Sequence, residues 1–350
     1  MEADFPSASE VEGVYRTLAT RFERELRSAS GALCEEKLRL AGKPVLVRVL
    51  GHELAERALA AFTASGWSGE DVAELRIDLL AAPVSAGTGR DRSDAEPFGR
   101  LVSSPSGRYL LHDTKSFRAL LDRRGGRLIA AISDLDWPAW EQAKPLSSLL
   151  AVWYSGQDVS FIHAGAVALD GQAALLLGAG GSGKTTATLV CAQAGFTFLG
   201  DDCVALTRRP DGFSAHAVYG TAALEERHLA RVAPELAARS ALTTSVDGKR
   251  VFRVVGRSGV SEVGDPYVSV LLLPRLVGNG RSGLRPARPR EALLAVAPSS
   301  VLGRAVPASE TLGRLAEVAA LVPSYWLEMG ANVDELPGLV ARALAGEEVV

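Results

Sequence analysis

Gly178-Ala179-Gly180-Gly181-Ser182-Gly183-Lys184-Thr185 decides how this chain is read. It fits G-x-x-x-x-G-K-[ST] and stands between an apolar run, Leu175-Leu176-Leu177, and a helical pattern from Thr186 to Ala194. Glycines let the backbone curl so that successive N–H groups converge on an anion, and the following helix adds the positive end of its dipole. Gly178, Gly180, Gly181, Ser182, Gly183, Lys184, Thr185 and Thr186 are therefore the candidate nucleotide-binding residues. Lys184 would reach the β/γ-phosphates and the Thr185 hydroxyl would hold Mg²⁺. A glycine-rich surface loop can match the pattern by chance, but it would lack the strand before and the helix after.

Upstream, Val159–Leu169 and Ala173–Leu177 read as two strands joined by Asp170-Gly171, a preferred pair for a two-residue hairpin turn. Extending that pairing sets His163 opposite Gly178, at the mouth of the site; the alternative is a histidine that merely ends a strand. Downstream, Gly195 stops the helix and Phe196–Leu199 forms a strand that delivers Gly200-Asp201-Asp202 at its carboxyl end. Ligands bind at that edge of α/β sheets. Neighbouring carboxylates on extended chain point in different directions, so one can ligate Mg²⁺ while the other accepts a hydroxyl proton.

Ile162-His163-Ala164-Gly165, the hairpin turn, the loop Gly178–Thr185 and Phe198-Leu199-Gly200-Asp201-Asp202 together resemble the kinase domain of the HPr kinase/phosphorylase family. The resemblance extends more loosely from Leu146 to Leu344. It implies a P-loop core related to the phosphoenolpyruvate carboxykinase fold and ATP-dependent, Mg²⁺-assisted phosphorylation of a hydroxyl, typically serine. It also implies Asp201 as the base, Asp202 as a metal ligand with Thr185, His163 and Lys184 as supporting catalytic groups, and a homo-oligomer. The segment Tyr219-Gly220-Thr221-Ala222-Ala223-Leu224 departs from the family's protein-substrate signature. The chain is thus closer to divergent relatives, some of which act on serine in precursor peptides.

At 350 residues and 47% apolar content the chain suits two folded domains. The expected architecture is α/β: an HPr-kinase-like P-loop kinase domain over 141–350, with a smaller N-terminal α+β domain over 1–140. In the latter a helical pattern (Val14, Leu18, Phe22, Leu26) covers Ser9 to Arg39, strands follow at Val45–Val49 and Leu75–Leu80, and a polar loop spans Ala86–Arg100. A meander follows at Gly99–Val102, Arg108–Leu111 and Arg127–Ile132. A net charge of −3 gives no bulk attraction to nucleic acid or anionic lipid, and no run suits a membrane helix. Cys34, Cys191 and Cys203 share no metal spacing and fit a reducing cytoplasm, Cys191 and Cys203 as buried packing residues. His52 and His112 lack partners at useful spacing.

From Ala151 onward the only lysines are Lys184 and Lys249. Asp247-Gly248-Lys249-Arg250 is a hairpin-turn signal, and Lys249 with Arg250 could close over the nucleotide; ordinary turn chemistry explains the same residues. Arg275, Arg281, Arg285, Arg288 and Arg290 mark either a basic flap or a solvated loop. The acceptor is a protein, a peptide or a small molecule. A metabolite kinase, or a nucleotide-gated binding or assembly protein without transfer, remains an alternative reading.

Overall fold

The computed structural model describes residues 6–28, 32–63, 71–84, 99–114, 116–133, 137–239, 241–244, 248–255, 265–278, 280–300 and 306–347. The chain divides into two compact units. One comprises Met1–Arg39, Lys43–Ala60 and Gly66–Trp153, the other Leu40–Gly42, Ala61–Ser65 and Tyr154–Val350. Among the described residues no helix is long and apolar enough to cross a membrane.

In the smaller unit α1 (Val11–Ser28) forms because Val11, Tyr15, Leu18 and Phe22 recur at helical spacing, and all four are buried. The helix stops well short of Arg39, contrary to the sequence expectation. Leu33–Leu40 is instead strand β1, in which Leu38 and Leu40 are buried while Glu35, Lys37 and Arg39 face outward, a period of two. Ala41 and Gly42, with φ of 45° and 79°, turn it back into β2 (Lys43–Leu50). Helix α2 (His52–Leu59), β3 (Leu75–Ala81), β4 (Arg100–Ser103), β5 (Tyr109–Asp113), β6 (Phe117–Asp122) and β7 (Arg127–Ile132) follow. The sheet order is β1-β2-β3-β7-β6-β5-β4, with β2, β3 and β7 parallel and β7 to β4 an antiparallel meander. The meander has one strand more than the sequence suggested. Its β5–β6 turn uses no glycine or proline: the Thr114 hydroxyl accepts the Ser116 and Phe117 N–H groups instead. Most of the expected Ala86–Arg100 loop, up to Phe98, lies outside the described residues. Folding brings Cys34 Sγ to 3.3 Å from His52 Nδ1, a pairing across 18 positions that spacing did not reveal. Helices α3 (Ala139–Ala143) and α4 (Ser147–Ser155) come next in the chain.

The larger unit continues with β8 (Val159–Ile162), β9 (Gly165–Leu169), β10 (Gln172–Leu176), α5 (Lys184–Gln193), β11 (Thr197–Gly200), β12 (Val204–Arg209), β13 (Gly212–His216) and β14 (Thr221–Glu225). Then come α6 (Glu226–Val232), α7 (Pro234–Ala237), β15 (Thr243–Thr244), β16 (Lys249–Arg253), β17 (Tyr267–Leu276), β18 (Gly283–Ala287), α8 (Pro289–Ser300), α9 (Ala308–Leu321), β19 (Ser324–Met329) and α10 (Leu336–Leu344). A nine-stranded sheet follows the path β11-β9-β10-β17-β13-β12-β8, with β19 beside β17 and β18 beside β19. A three-stranded sheet, β14-β16-β15, accompanies it. Val167, Leu176, Leu272 and Leu327 on one face of the large sheet pack with Leu189 and Val190 of α5 and Val340 of α10. Ala168, Leu175 and Leu273 on the other pack with Leu315 and Val318 of α9. Each such leucine or valine, removed from water, contributes about 1.5–3 kcal/mol. The architecture is mixed α/β with several sheets. The basic stretch near Arg285 is ordered as edge strand β18, Arg275 and Arg285 both lying over the Trp326 ring.

The hairpin β9–β10 pairs as its turn dictates: Leu169 faces Gln172 and Gly165 faces Leu176, around Asp170 (φ 49°) and Gly171 (φ 77°). The expected single strand Val159–Leu169 is broken, however. The Ala164 N–H donates to the Ile162 carbonyl at 3.1 Å, a three-residue turn centred on His163, so β8 leaves the hairpin and pairs with β12.

Candidate functional site

Two long antiparallel segments cross the large sheet, β8 with β9 and β11 with β12, and both break at the same level. On one side of the break Phe198 faces Val167; on the other Val204 faces Ile162. Between those pairs lie His163 to Ala166 on one segment and Leu199 to Cys203, with Asp201 and Asp202, on the other. Gly200 makes the break possible. It carries an irregularity in the β11–β9 register, and a Cβ there would stand 2.7 Å from the Cys203 carbonyl oxygen. Beyond it Asp202 sits in the left-handed region (φ 62°), which a short polar side chain tolerates.

The bend turns the two acids apart. Asp201, 4% exposed, receives the Thr185 hydroxyl, whose Oγ1 is 3.0 Å from both carboxylate oxygens; the Ala223 N–H approaches Oδ2 at 3.5 Å. Asp202 points to His163, with Oδ1 3.4 Å from Nε2. His163 therefore meets Asp202 rather than standing in the hairpin ladder opposite Gly178. Nothing in the sequence marked Ala223 as a neighbour, since its contribution is a backbone N–H from the segment that departs from the family signature.

The glycine loop follows β10 and leads straight into α5. Gly181 (φ 78°) and Gly183 (φ 106°) take backbone angles that side chains resist, and a Cβ on Gly183 would lie 2.7 Å from Met329 Sδ. A Cβ on Gly178 would lie 2.6 Å from Ser182 Oγ. That hydroxyl is buried and finds no hydrogen-bond partner among the described residues. Lys184 is 5% exposed and curls back over the loop, its Nζ donating to the carbonyls of Gly178 (2.8 Å) and Ala179 (3.1 Å). Thr185 and Thr186 stand in the first turn of α5, half-buried.

Lys249 and Arg250 open β16, where Lys249 is paired with Glu225 and Arg250 with Leu224 in the β14 ladder. The Arg250 guanidinium binds Glu226 at 2.8 Å and lies over Phe252 of the same strand. Asp247, the start of the expected turn, is outside the described residues. Cys191 and Cys203 are both buried, and burial pushes the Cys191 thiol up to about 12, which suits packing and not nucleophilic chemistry. Among the described residues no three His, Cys, Asp or Glu side chains gather as a metal-holding group.

No family model and no curated protein matches this chain. Among solved structures, the Hpr(Ser) kinase/phosphatase from Coxiella burnetii is similar to it at 14% identity and a TM-score of 0.27, over 53% of this chain and 95% of that one.

Proposed function

We propose that the larger unit is an ATP-dependent phosphotransferase that passes the γ-phosphoryl group to a hydroxyl, with serine of a protein or precursor peptide as the acceptor. The observation that carries this is the Thr185 hydroxyl seated on the Asp201 carboxylate at the head of α5, directly after the glycine loop. The residues fit a nucleotide with its metal. The buried, partnerless Ser182 hydroxyl and the loop around it suit phosphate oxygens, and the Lys184 ammonium, now on two loop carbonyls, can exchange them for a more strongly held anion. Thr185 and Asp201 offer hard oxygen ligands to Mg²⁺, which would neutralise charge on the phosphates when bound.

These distances favour an exchange of roles between the two acids. Asp201, joined to the Thr185 hydroxyl, suits the metal; Asp202, partly exposed and beside His163, suits the proton of an attacking hydroxyl. His163 then orients the Asp202 carboxylate and steadies its charge as the proton arrives. A carboxylate paired with an imidazole is not needed by a nucleotide switch, which supports transfer over binding alone.

The test is transfer from γ-labelled ATP with Mg²⁺ into a size-fractionated lysate, comparing wild type with Asp202→Asn. Label in macromolecules, lost in the variant, supports the proposal and yields the acceptor. Label in small molecules makes the protein a metabolite kinase. Free phosphate alone, released equally by both proteins, leaves a nucleotide-gated binding or assembly protein. Nucleotide titration separates the acids: Asp201→Asn should lose Mg²⁺-dependent affinity and Asp202→Asn keep it, and the reverse would restore Asp201 to the base role.

A further inference from the structure

The smaller unit holds a groove of about 440 Å³, between the first half of α1 and the ends of β6 and β7, in the range of small-molecule sites. Val14, Leu18, Val84 and Ala131 give it apolar walls, and Arg21 and Arg118 bring positive charge to them. Arg118 is built in. Its side chain is 18% exposed and is pinned side-on to the fully buried Asp113, Nε and Nη2 donating to the two carboxylate oxygens at 3.2 and 2.8 Å. A guanidinium has five N–H groups, so three remain, and among the described residues they meet no acceptor. Arg21 is likewise held by one contact, Nε to Glu25 at 2.7 Å. Glu10, the acid on the wall, is turned to Ser7, whose N–H and hydroxyl donate to its Oε2. Gly13 lines the groove too, and a Cβ there would meet nothing within 4 Å, so space rather than backbone strain is what this glycine provides.

We propose that this groove binds a small organic carboxylate, its apolar body against Val14, Leu18, Val84 and Ala131 and its head on the free edge of Arg118 with Arg21 beside it. The planar fork matches a carboxylate, and because Asp113 already fixes it, binding need not order that side chain. The site is independent of the phosphotransferase reading and stands or falls without it.

Calorimetric titration of the full chain with octanoate tests this, with acetate and octylamine as controls for head and body. Octanoate should bind, acetate at least about tenfold more weakly, and octylamine not at all. Gly13→Leu should fill the groove, and Arg118→Lys should remove the fork while leaving a cation beside Asp113. Each should weaken octanoate by about tenfold or more with an unchanged circular dichroism spectrum. Octylamine binding as well as octanoate, octanoate affinity unmoved in both variants, or no octanoate binding to the wild type would each overturn the proposal.

Discussion

Asp78 in the smaller unit and Asp201 in the larger are both buried acids beside a sheet, yet they are held in opposite ways. Asp78, fully buried, takes Arg48 side-on at 2.7 and 3.0 Å and Arg127 at 2.6 Å, and both guanidinia lie over Phe22. Asp113 with Arg118 and Asp122 with Arg108 repeat the clamp. Asp201 instead receives a threonine hydroxyl, and its neighbour Asp202 an imidazole at 3.4 Å. A fork of two charge-assisted hydrogen bonds occupies carboxylate lone pairs permanently. The Thr185 hydroxyl on Asp201 can turn from the carboxylate to a metal ion, as the role proposed for Asp201 asks.

The sharpest test of the contrast is Asp202→Asn. Asparagine tolerates the left-handed backbone at this position, so the fold should survive while transfer falls by about 10²–10⁴-fold, read as labelled product from γ-labelled ATP. Asp78→Ala should do the converse. It strands Arg48 and Arg127, each 12% exposed, without a buried counter-charge, and should cost about 3–5 kcal/mol in urea unfolding with nucleotide affinity unchanged. Were Asp78→Ala well folded but unable to bind nucleotide, or Asp202→Asn active but unstable, the division between clamped and working acids would be void.

The sequence carried the two acids of the proposed site further than the clamped ones, and the reason is range. Asp170-Gly171 fixes the β9–β10 register from two adjacent residues, and the glycine loop announces its own backbone. Which way Asp201 and Asp202 turn depends on the Gly200 irregularity, and which of them meets His163 depends on β8 pairing with β12 some 40 positions away. Alternation shows that two neighbouring acids diverge but not where either lands. The ion pair of Arg250 with Glu226 is invisible until β14 and β16 are paired. The clamps of Asp78 join α1, β2, β3 and β7, a set that no local pattern brings together.

Glu141 extends the comparison to a buried acid without a clamp. It is 1% exposed; Oε1 accepts the Leu146 N–H at 2.5 Å, where Leu146 turns through a positive φ of 60°, and Oε2 meets no partner among the described residues. Burial pushes its carboxyl up to about 8, against a partial lowering by that backbone bond. The folded chain thus holds a proton that the unfolded chain, titrating near 4.5, releases across that window. Stability from this residue is complete below the unfolded value and declines by about 1.4 kcal/mol per pH unit until the folded value is passed. Glu141→Gln keeps an acceptor for Leu146 without a proton to lose, so urea unfolding at two pH values inside the window should show a shallower decline than wild type. Equal slopes would mean that Glu141 is ionised in the fold, and a buried acid here would then need a partner as much as Asp78 does.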